Sequence, residues 1–330
     1  MASRGGAESR TCPLNPKKHL NFINPEQVFT MKDIGLEGAG VSPLALTSPF
    51  SLFTEEAIRQ MRAEIFSPVV LQDHHVSSDF ASDMVKGFPP SAAPFIHDAW
   101  YSPEVLAIMS KLAGIEVVPV FEYEVGHTNV SVDRRYTPGA TCTVNGVLNG
   151  NGAHAEDIVD ESAFAWHFDS VPYVCVTMLS DCQCMVGGET VVRTGTGQVL
   201  KVRGPTQASD HDYRGSAVMM QGRYIEHQAL KARGGAERIT MVTSFRSKSP
   251  LLKDELVLVG FRPICHLPEL YKQYTEYRLE NIEERVRDQL RRIRQRHQAH
   301  LDFDTAGVKE FLKEQRAYID SMIKELVEDD

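Results

Sequence analysis

The sequence predicts a mainly β core with flanking helices, and three observations carry that prediction. Residues 115 to 250 hold short β-rich pieces separated by Gly, Asp and Asn turns, the spacing of a sandwich or barrel. Two helical segments with clear start and stop residues precede that stretch. After Pro268 the chain turns helical again and highly charged. Few helical patterns interrupt the β pieces, which argues against a doubly wound parallel sheet. The expected division is 1–45 an irregular N-terminal arm, 46–114 a helical support, 115–250 the β core and 251–330 a C-terminal helical extension.

Taken in order, residues 1–45 are rich in Gly, Pro, Ser and Asn and lack periodicity, so they read as an arm on the surface. Thr54 is placed to cap EEAIRQMRAEIF, with Glu55 and Glu56 at the positive end of the dipole and a stop before Ser67-Pro68. Ser102 caps SPEVLAIMSKLAG, with Pro103 at the first helical position and Gly114 at the stop. Then come IEVVPVFEYEVG, FAWHFD, VPYVCVTMLSD, GETVVRTG, QVLKVRG, GSAVMMQG, YIEHQAL and RITMVTSFRS, all β-rich. Gly195 and Gly197 follow a strand but open no helix, so they make a hairpin and not a phosphate loop.

The last segments predict a helical hairpin. Ile282, Val286, Leu290 and Ile293 recur at helical spacing in the first. Val308, Phe311, Leu312, Ile319, Met322, Ile323 and Leu326 fall on one face of the second. The expectation is packing on the back of the β core; a homodimer interface or a lid over the site is the functional alternative.

The totals narrow the function. The chain has 330 residues, 42% hydrophobic, and a net charge of −9. An acidic surface argues against nucleic acid or an anionic membrane as partner. No apolar run is long enough to span a bilayer. The N-terminus has charges but no apolar signal core. Cys12, Cys142, Cys175, Cys182, Cys184 and Cys265 do not form a disulfide framework in a chain this long. A reduced, cytoplasmic protein acting on a small molecule is expected.

WHFDSVPYV puts His167 and Asp169 two residues apart, on one face of a strand. A second histidine on a later strand would complete two histidines and one carboxylate, the set that leaves open positions on non-heme iron. His227 lies there, in RYIEHQAL after the turn Gln221-Gly222-Arg223. The next strand places Arg238 and Thr240 two apart. A guanidinium and a hydroxyl facing inward are costly unless an anion meets them, and arginine grips carboxylates through two parallel hydrogen bonds. A dicarboxylic co-substrate would account for both. Arg246 shares that face but lies roughly 26 Å farther along an extended strand, so it cannot serve the same carboxylate.

HxD, then Gly187-Gly188-Glu189, then His227, then Arg-x-Thr resembles the Fe(II)- and 2-oxoglutarate-dependent dioxygenases, most closely stand-alone fungal members acting in secondary metabolism. The resemblance covers about residues 115–250 and implies a double-stranded β-helix, a cupin-like jelly roll. It matches His167, Asp169 and His227 to the iron ligands, and Arg238 and Thr240 to the pair that binds the distal carboxylate of 2-oxoglutarate. It implies Fe(II), 2-oxoglutarate and O2 as cofactor and co-substrates. The activity implied is oxidation of an unactivated C–H bond of a small metabolite by hydroxylation, desaturation or ring closure, with release of succinate and CO2. An amino acid closed to an aziridine is one such substrate, with Arg134, Arg135, Arg246, Glu122 or Glu124 to hold its charged groups. The alternatives are a cupin-like metalloenzyme without 2-oxoglutarate and a catalytically silent binding protein.

Other groups read more plainly. His127 and Asn129, two apart before the metal strand, are either a polar strand face or a contact to substrate or 2-oxoglutarate, and Asn129 is the candidate to test. Phe164, Trp166 and Phe168 alternate with the ligands and are expected to pack opposite them as core. His74, His75 and Asp79 sit in a polar, loop-like stretch. Cys182-Gln183-Cys184 lacks the spacing and the second pair of a zinc ribbon.

Overall fold

The computed structural model describes residues 13–77, 83–132, 162–182, 185–207 and 214–328. The helices are α1 (Pro16–His19), α2 (Glu55–Ile65), α3 (Pro68–His74), α4 (Pro94–Tyr101), α5 (Pro103–Ala113), α6 (Leu267–Gln298) and α7 (Thr305–Glu325). The first strands are β1 (Val28–Thr30), β2 (Leu44–Thr47), β3 (Phe50–Ser51), β4 (His75–Val76), β5 (Asp83–Val85), β6 (Val117–Pro119), β7 (His127–Val132) and β8 (Ser162–His167). They continue as β9 (Tyr173–Met178), β10 (Val186–Gly187), β11 (Thr190–Arg193), β12 (Val199–Val202), β13 (Ser216–Met220), β14 (His227–Leu230), β15 (Ala232–Arg233) and β16 (Glu237–Ser247).

A large antiparallel sheet runs β1-β2-β13-β9-β16-β7-β5-β4, with β3 on β13 and β6 on β16. A four-stranded sheet, β12-β11-β14-β8, lies over it. Alternation along the strands makes each residue choose a side. Val174, Leu46 and Met220 of the large sheet meet Val192 and Val202 of the small one and Ile225, just before β14. Tyr173, Cys175, Ala217, Met219, Ile239, Met241 and Phe245 face the other way, onto α2, α4 and α5. This is the expected jelly roll, backed by helices. Trp100 of α4 is fully buried in that outer layer, edge-on to Phe53 and Phe245.

The helix signals before the core are borne out. Thr54 Oγ1 accepts from Ala57 N, and Ser102 Oγ from Val105 N. Gly114 closes α5 in the left-handed conformation, φ 73°. Gly195 and Gly197 lie in the β11–β12 hairpin. Besides α1, two helices were not anticipated. α3 repeats the Ser-Pro start, with Ser67 capping Val70 N. α4 has no side-chain cap of its own; the carboxylate of Glu64, on α2, accepts from Phe95 N and Ile96 N instead.

Three expectations are corrected. The arm 1–45 is not irregular throughout: α1, β1 and β2 fall within it, and β2 joins the large sheet through β13. His74 ends α3 and His75 begins β4, pairing with Asp83, so the stretch is not a loop; Asp79 lies outside the described residues. The hairpin's apolar residues do not share one buried face. Leu270, Tyr274 and Tyr277 carry α6 onto the inter-sheet cluster, whereas Val286, Leu290, Leu312, Ile319 and Ile323 are exposed.

Candidate metal centre

β8 and β14 are neighbours, and their register sets His227 directly opposite His167. Both imidazoles then lie on the inward face, their ring centroids 4.3 Å apart. Asp169 follows β8 by two residues, and its N–H donates to Gly222 O at 3.0 Å. The ligand atoms of His167, Asp169 and His227 all lie within 4.8 Å of one another. Asp169 Oδ1 stands 3.5 Å from His167 Nε2 and 3.6 Å from His227 Nε2.

The two histidines are held the same way. Each Nδ1 meets a backbone carbonyl two residues earlier: His167 with Ala165 O at 2.7 Å, His227 with Ile225 O at 2.9 Å. That contact takes a proton on Nδ1 and leaves the Nε2 lone pair directed at the carboxylate, the arrangement that prepares a histidine for a metal. Asp169 Oδ2 is sealed from water and has no hydrogen-bond partner among the described residues. A Cβ added at Gly222 would fall on that oxygen. These residues fit a divalent cation: two neutral nitrogens, one carboxylate and a backbone cradle sized for the carboxylate.

The electrostatics agree. The Asp169 hydrogen bond raises the His167 pKa. Burial alone would raise that of Asp169, but His227, His167 and Arg223 together hold it below the usual carboxylate range. Burial lowers that of His227, only partly opposed by Asp169.

β16 brings the polar groups of the large sheet to the same interior. Its register pairs Arg238 with Ser131, Thr240 with Asn129 and Val242 with His127. Arg238, Thr240, His127 and Asn129 therefore share the inward face. Thr240 is buried. Arg238 is half-buried as a residue, yet its Nε is sealed and has no hydrogen-bond partner among the described residues. Burial lowers its pKa, opposed by the Cys182 thiol. Asn129 hydrogen-bonds His127, whose pKa burial drives well down.

Arg246 is occupied elsewhere. Its guanidinium lies 4.8 Å over the Tyr277 ring, and its Nε donates to Val120 O at 3.4 Å. Glu124 is likewise spent, on fully buried Lys86 at 2.5 Å, and Glu122 is exposed. Arg134 and Arg135 lie outside the described residues, as do Cys184 and Gln183 beside buried Cys182.

The aromatic residues beside the ligands need a correction. Phe168 does turn away from the metal face, but it is 52% exposed and is not core. Among the described residues β8 is the last strand of the small sheet. Trp166 is half-buried beneath the Arg193 guanidinium, 4.6 Å from its ring, and the Phe164 side chain is not among those described.

A support of the site was not anticipated from the sequence. The strap at 255–262 runs against the metal strand: Val257 N donates to Ser170 O at 3.0 Å and Gly260 N to Ser170 Oγ at 3.2 Å. Arg223 Nε donates to Glu255 O at 2.8 Å. The strap is tied in turn to α7, where Glu325 Oε2 accepts from Leu258 N at 2.6 Å and Arg262 Nη1 at 3.0 Å.

No family model matches the chain, and no curated protein does. Solved structures do. One is a 2OG-Fe(II) oxygenase family oxidoreductase from Burkholderia pseudomallei, 12% identical over 52% of this chain and 62% of that one, TM-score 0.31. The chain thus spans under two thirds of that protein's length. Another is AviO1 from Streptomyces viridochromogenes, 14% identical over 62% of this chain and 90% of that one, TM-score 0.36. A third is HygX from Streptomyces hygroscopicus, solved with nickel and 2-oxoglutarate, 11% identical over 59% and 80%, TM-score 0.32.

Proposed function

We propose that the chain is an Fe(II)- and 2-oxoglutarate-dependent oxygenase of a small metabolite. One observation carries the reading: a His-Asp-His cluster with both Nε2 atoms preset, inside a jelly roll that also buries an arginine Nε with no partner among the described residues. An unpaired guanidinium nitrogen in a low-dielectric interior is costly, and a carboxylate is the partner it fits best.

In this reading His167, Asp169 and His227 hold the iron. Arg238 and Thr240 take the distal carboxylate of 2-oxoglutarate, and Asn129, level with Thr240 on the next strand, lines the same pocket. When bound, iron with 2-oxoglutarate and O2 supplies the oxidant that attacks an unactivated C–H bond, with succinate and CO2 released. The chain's own work is placement and exclusion of water. The backbone anchors fix both imidazoles, Gly222 makes room for Asp169, and Thr240 stays shielded from solvent. The candidate substrate remains an amino acid or similar small metabolite, taken through hydroxylation, desaturation or ring closure to an aziridine. Arg246 and Glu124 are both engaged within the protein, so its charged groups must find other partners than these.

The test is an anaerobic titration of Fe(II)-loaded protein with 2-oxoglutarate, following the visible metal-to-ligand charge-transfer band in wild type and Arg238→Ala. A band in wild type that needs far more co-substrate in the variant is expected. Iron bound with no band would overturn the co-substrate reading in favour of a cupin-like metalloenzyme.

A further inference from the structure

The outward face of the C-terminal hairpin is apolar where a solvated surface should be polar. On α6, Leu279, Val286 and Leu290 are 53%, 40% and 45% exposed. On α7, Leu312, Ile319 and Ile323 are 58%, 42% and 66% exposed. Both stripes have the same spacing, i, i+7 and i+11, which holds one side of a helix of 3.6 residues per turn.

Contacts within the hairpin fix which side that is. Arg278 donates to Tyr318 O and Ser321 Oγ across the pair, and the Arg285 guanidinium lies 4.0 Å over the Tyr318 ring. Leu270, Tyr274 and Tyr277 point into the β core. Measured round each helix from those contacts, both stripes fall on the side turned away from the core. Together they form one apolar patch on an otherwise charged hairpin.

The charges beside the patch say what covers it. On α6, from Glu276 on, the exposed charges on one flank of the stripe change sign along the helix: Glu276, Glu280 and Glu283 before Val286, then Arg287, Arg291 and Arg294 after it, with Glu283 pairing Arg287 and Asp288 pairing Arg291 within the helix. A surface acidic at one end and basic at the other is complementary to itself when turned end for end. We propose that a second copy of this chain docks here. The two α6 helices run antiparallel about a two-fold axis at Val286, and α7 packs on its counterpart in a four-helix layer. Each acidic half then meets the partner's basic half, and the apolar stripes close against each other. The alternative face-to-face pairing sets α6 on the partner's α7, where Lys309, Glu310, Lys313, Arg316 and Asp320 mix both signs and offer no such match.

Light scattering on the 330-residue chain at micromolar concentration tests the proposal, with Leu290→Glu/Ile319→Glu and Val286→Cys as variants. Wild type is expected to be a dimer. The double variant is expected to be a monomer with unchanged helicity and melting temperature, its dissociation constant raised by about a hundredfold or more. Val286→Cys is expected to give a reducible covalent dimer on mild oxidation, with wild type treated alongside as the control for the native cysteines. A monomeric wild type overturns the proposal. So does a dimer that survives the double variant. A dimer that yields no cross-link at position 286 overturns the antiparallel α6 arrangement.

Discussion

Gly222 and Asp169 are built around each other: the glycine's carbonyl takes the aspartate's N–H, and its missing Cβ is the space that Asp169 Oδ2 fills. Only a residue without a side chain leaves the carboxylate where both imidazoles reach it. Gly222→Ala must therefore move either Asp169 or the turn that leads into β14. Metal affinity is expected to fall by about ten- to a hundredfold, the usual effect of disturbing a ligand's support. Calorimetric titration with Mn(II) reads this without turnover. An alanine variant that binds as wild type does would mean the carboxylate is not a ligand.

The two inward arginines of β16 separate stability from co-substrate binding. Arg246 packs on Tyr277 and donates to Val120 O, so Arg246→Ala should lower the melting temperature and leave 2-oxoglutarate dependence alone. Arg238 buries an Nε that no described group satisfies. Arg238→Met is expected to stabilise the ligand-free protein by about 1 kcal/mol, because an uncompensated polar burial is removed. It should also abolish the thermal protection that 2-oxoglutarate gives the metal-loaded wild type. Denaturant unfolding with and without the co-substrate checks both signs.

Lys86 and Glu124 form a fully buried ion pair, with Lys86 Nζ also 4.7 Å over the Phe261 ring. Glu124 holds Lys86 protonated against the cost of its burial. Glu124→Leu alone strands the ammonium and should cost about 3–5 kcal/mol. Lys86→Met/Glu124→Leu should recover most of that loss in denaturant melts, since neither charge is then left alone.

The pH dependence follows from buried histidines. Burial lowers the pKa values of His97 and His127 below the ordinary value of 6.5. Unfolding lets both take up protons at their ordinary value. Their contribution is complete above about 6.5 and is lost as pH falls from there toward the lower folded values. His167, raised by Asp169, acts in the opposite sense and loses its contribution as pH rises through its folded value. Metal-free protein titrated with denaturant should weaken on acidification from neutral pH, and His97→Gln should flatten the slope. Metal affinity should also drop on acidification, because a protonated Nε2 cannot bind the ion and the Asp169 hydrogen bond raises the His167 pKa.

Much of this was legible because the signals are local. HxD on one strand, His227 after a turn and Arg-x-Thr on the next strand depend only on a period of two, and the structure turns them toward one interior. Ser102, Pro103 and Gly114 mark a helix by their own chemistry. What escaped depends on distant partners. α4 is capped by a glutamate from another helix. β2 looked like part of an irregular arm because a short strand needs the sheet it joins, here β13. Phe168 obeyed the alternation, but alternation alone does not say whether a layer covers that face, and the residue is 52% exposed. Periodicity found the hairpin's apolar residues and could not divide them between core and surface.

The link between the C-terminal hairpin and the metal strand gives the last prediction. Glu325 ends α7 yet accepts from Leu258 N and from Arg262, and the strap it holds brackets Ser170, the residue after Asp169. Glu325→Ala leaves the Leu258 N–H without its acceptor and the Arg262 guanidinium with only the backbone carbonyl of residue 325, at a cost of about 1–3 kcal/mol. The strap then loosens at Val257 and Gly260, and the Asp169 carboxylate gains freedom. The expected result is a lower melting temperature together with weaker Mn(II) binding. Glu325→Gln keeps one acceptor oxygen and should fall between alanine and wild type on both measures. A Glu325→Ala protein that melts early but binds Mn(II) with wild-type affinity would show that the strap supports the hairpin alone and not the site.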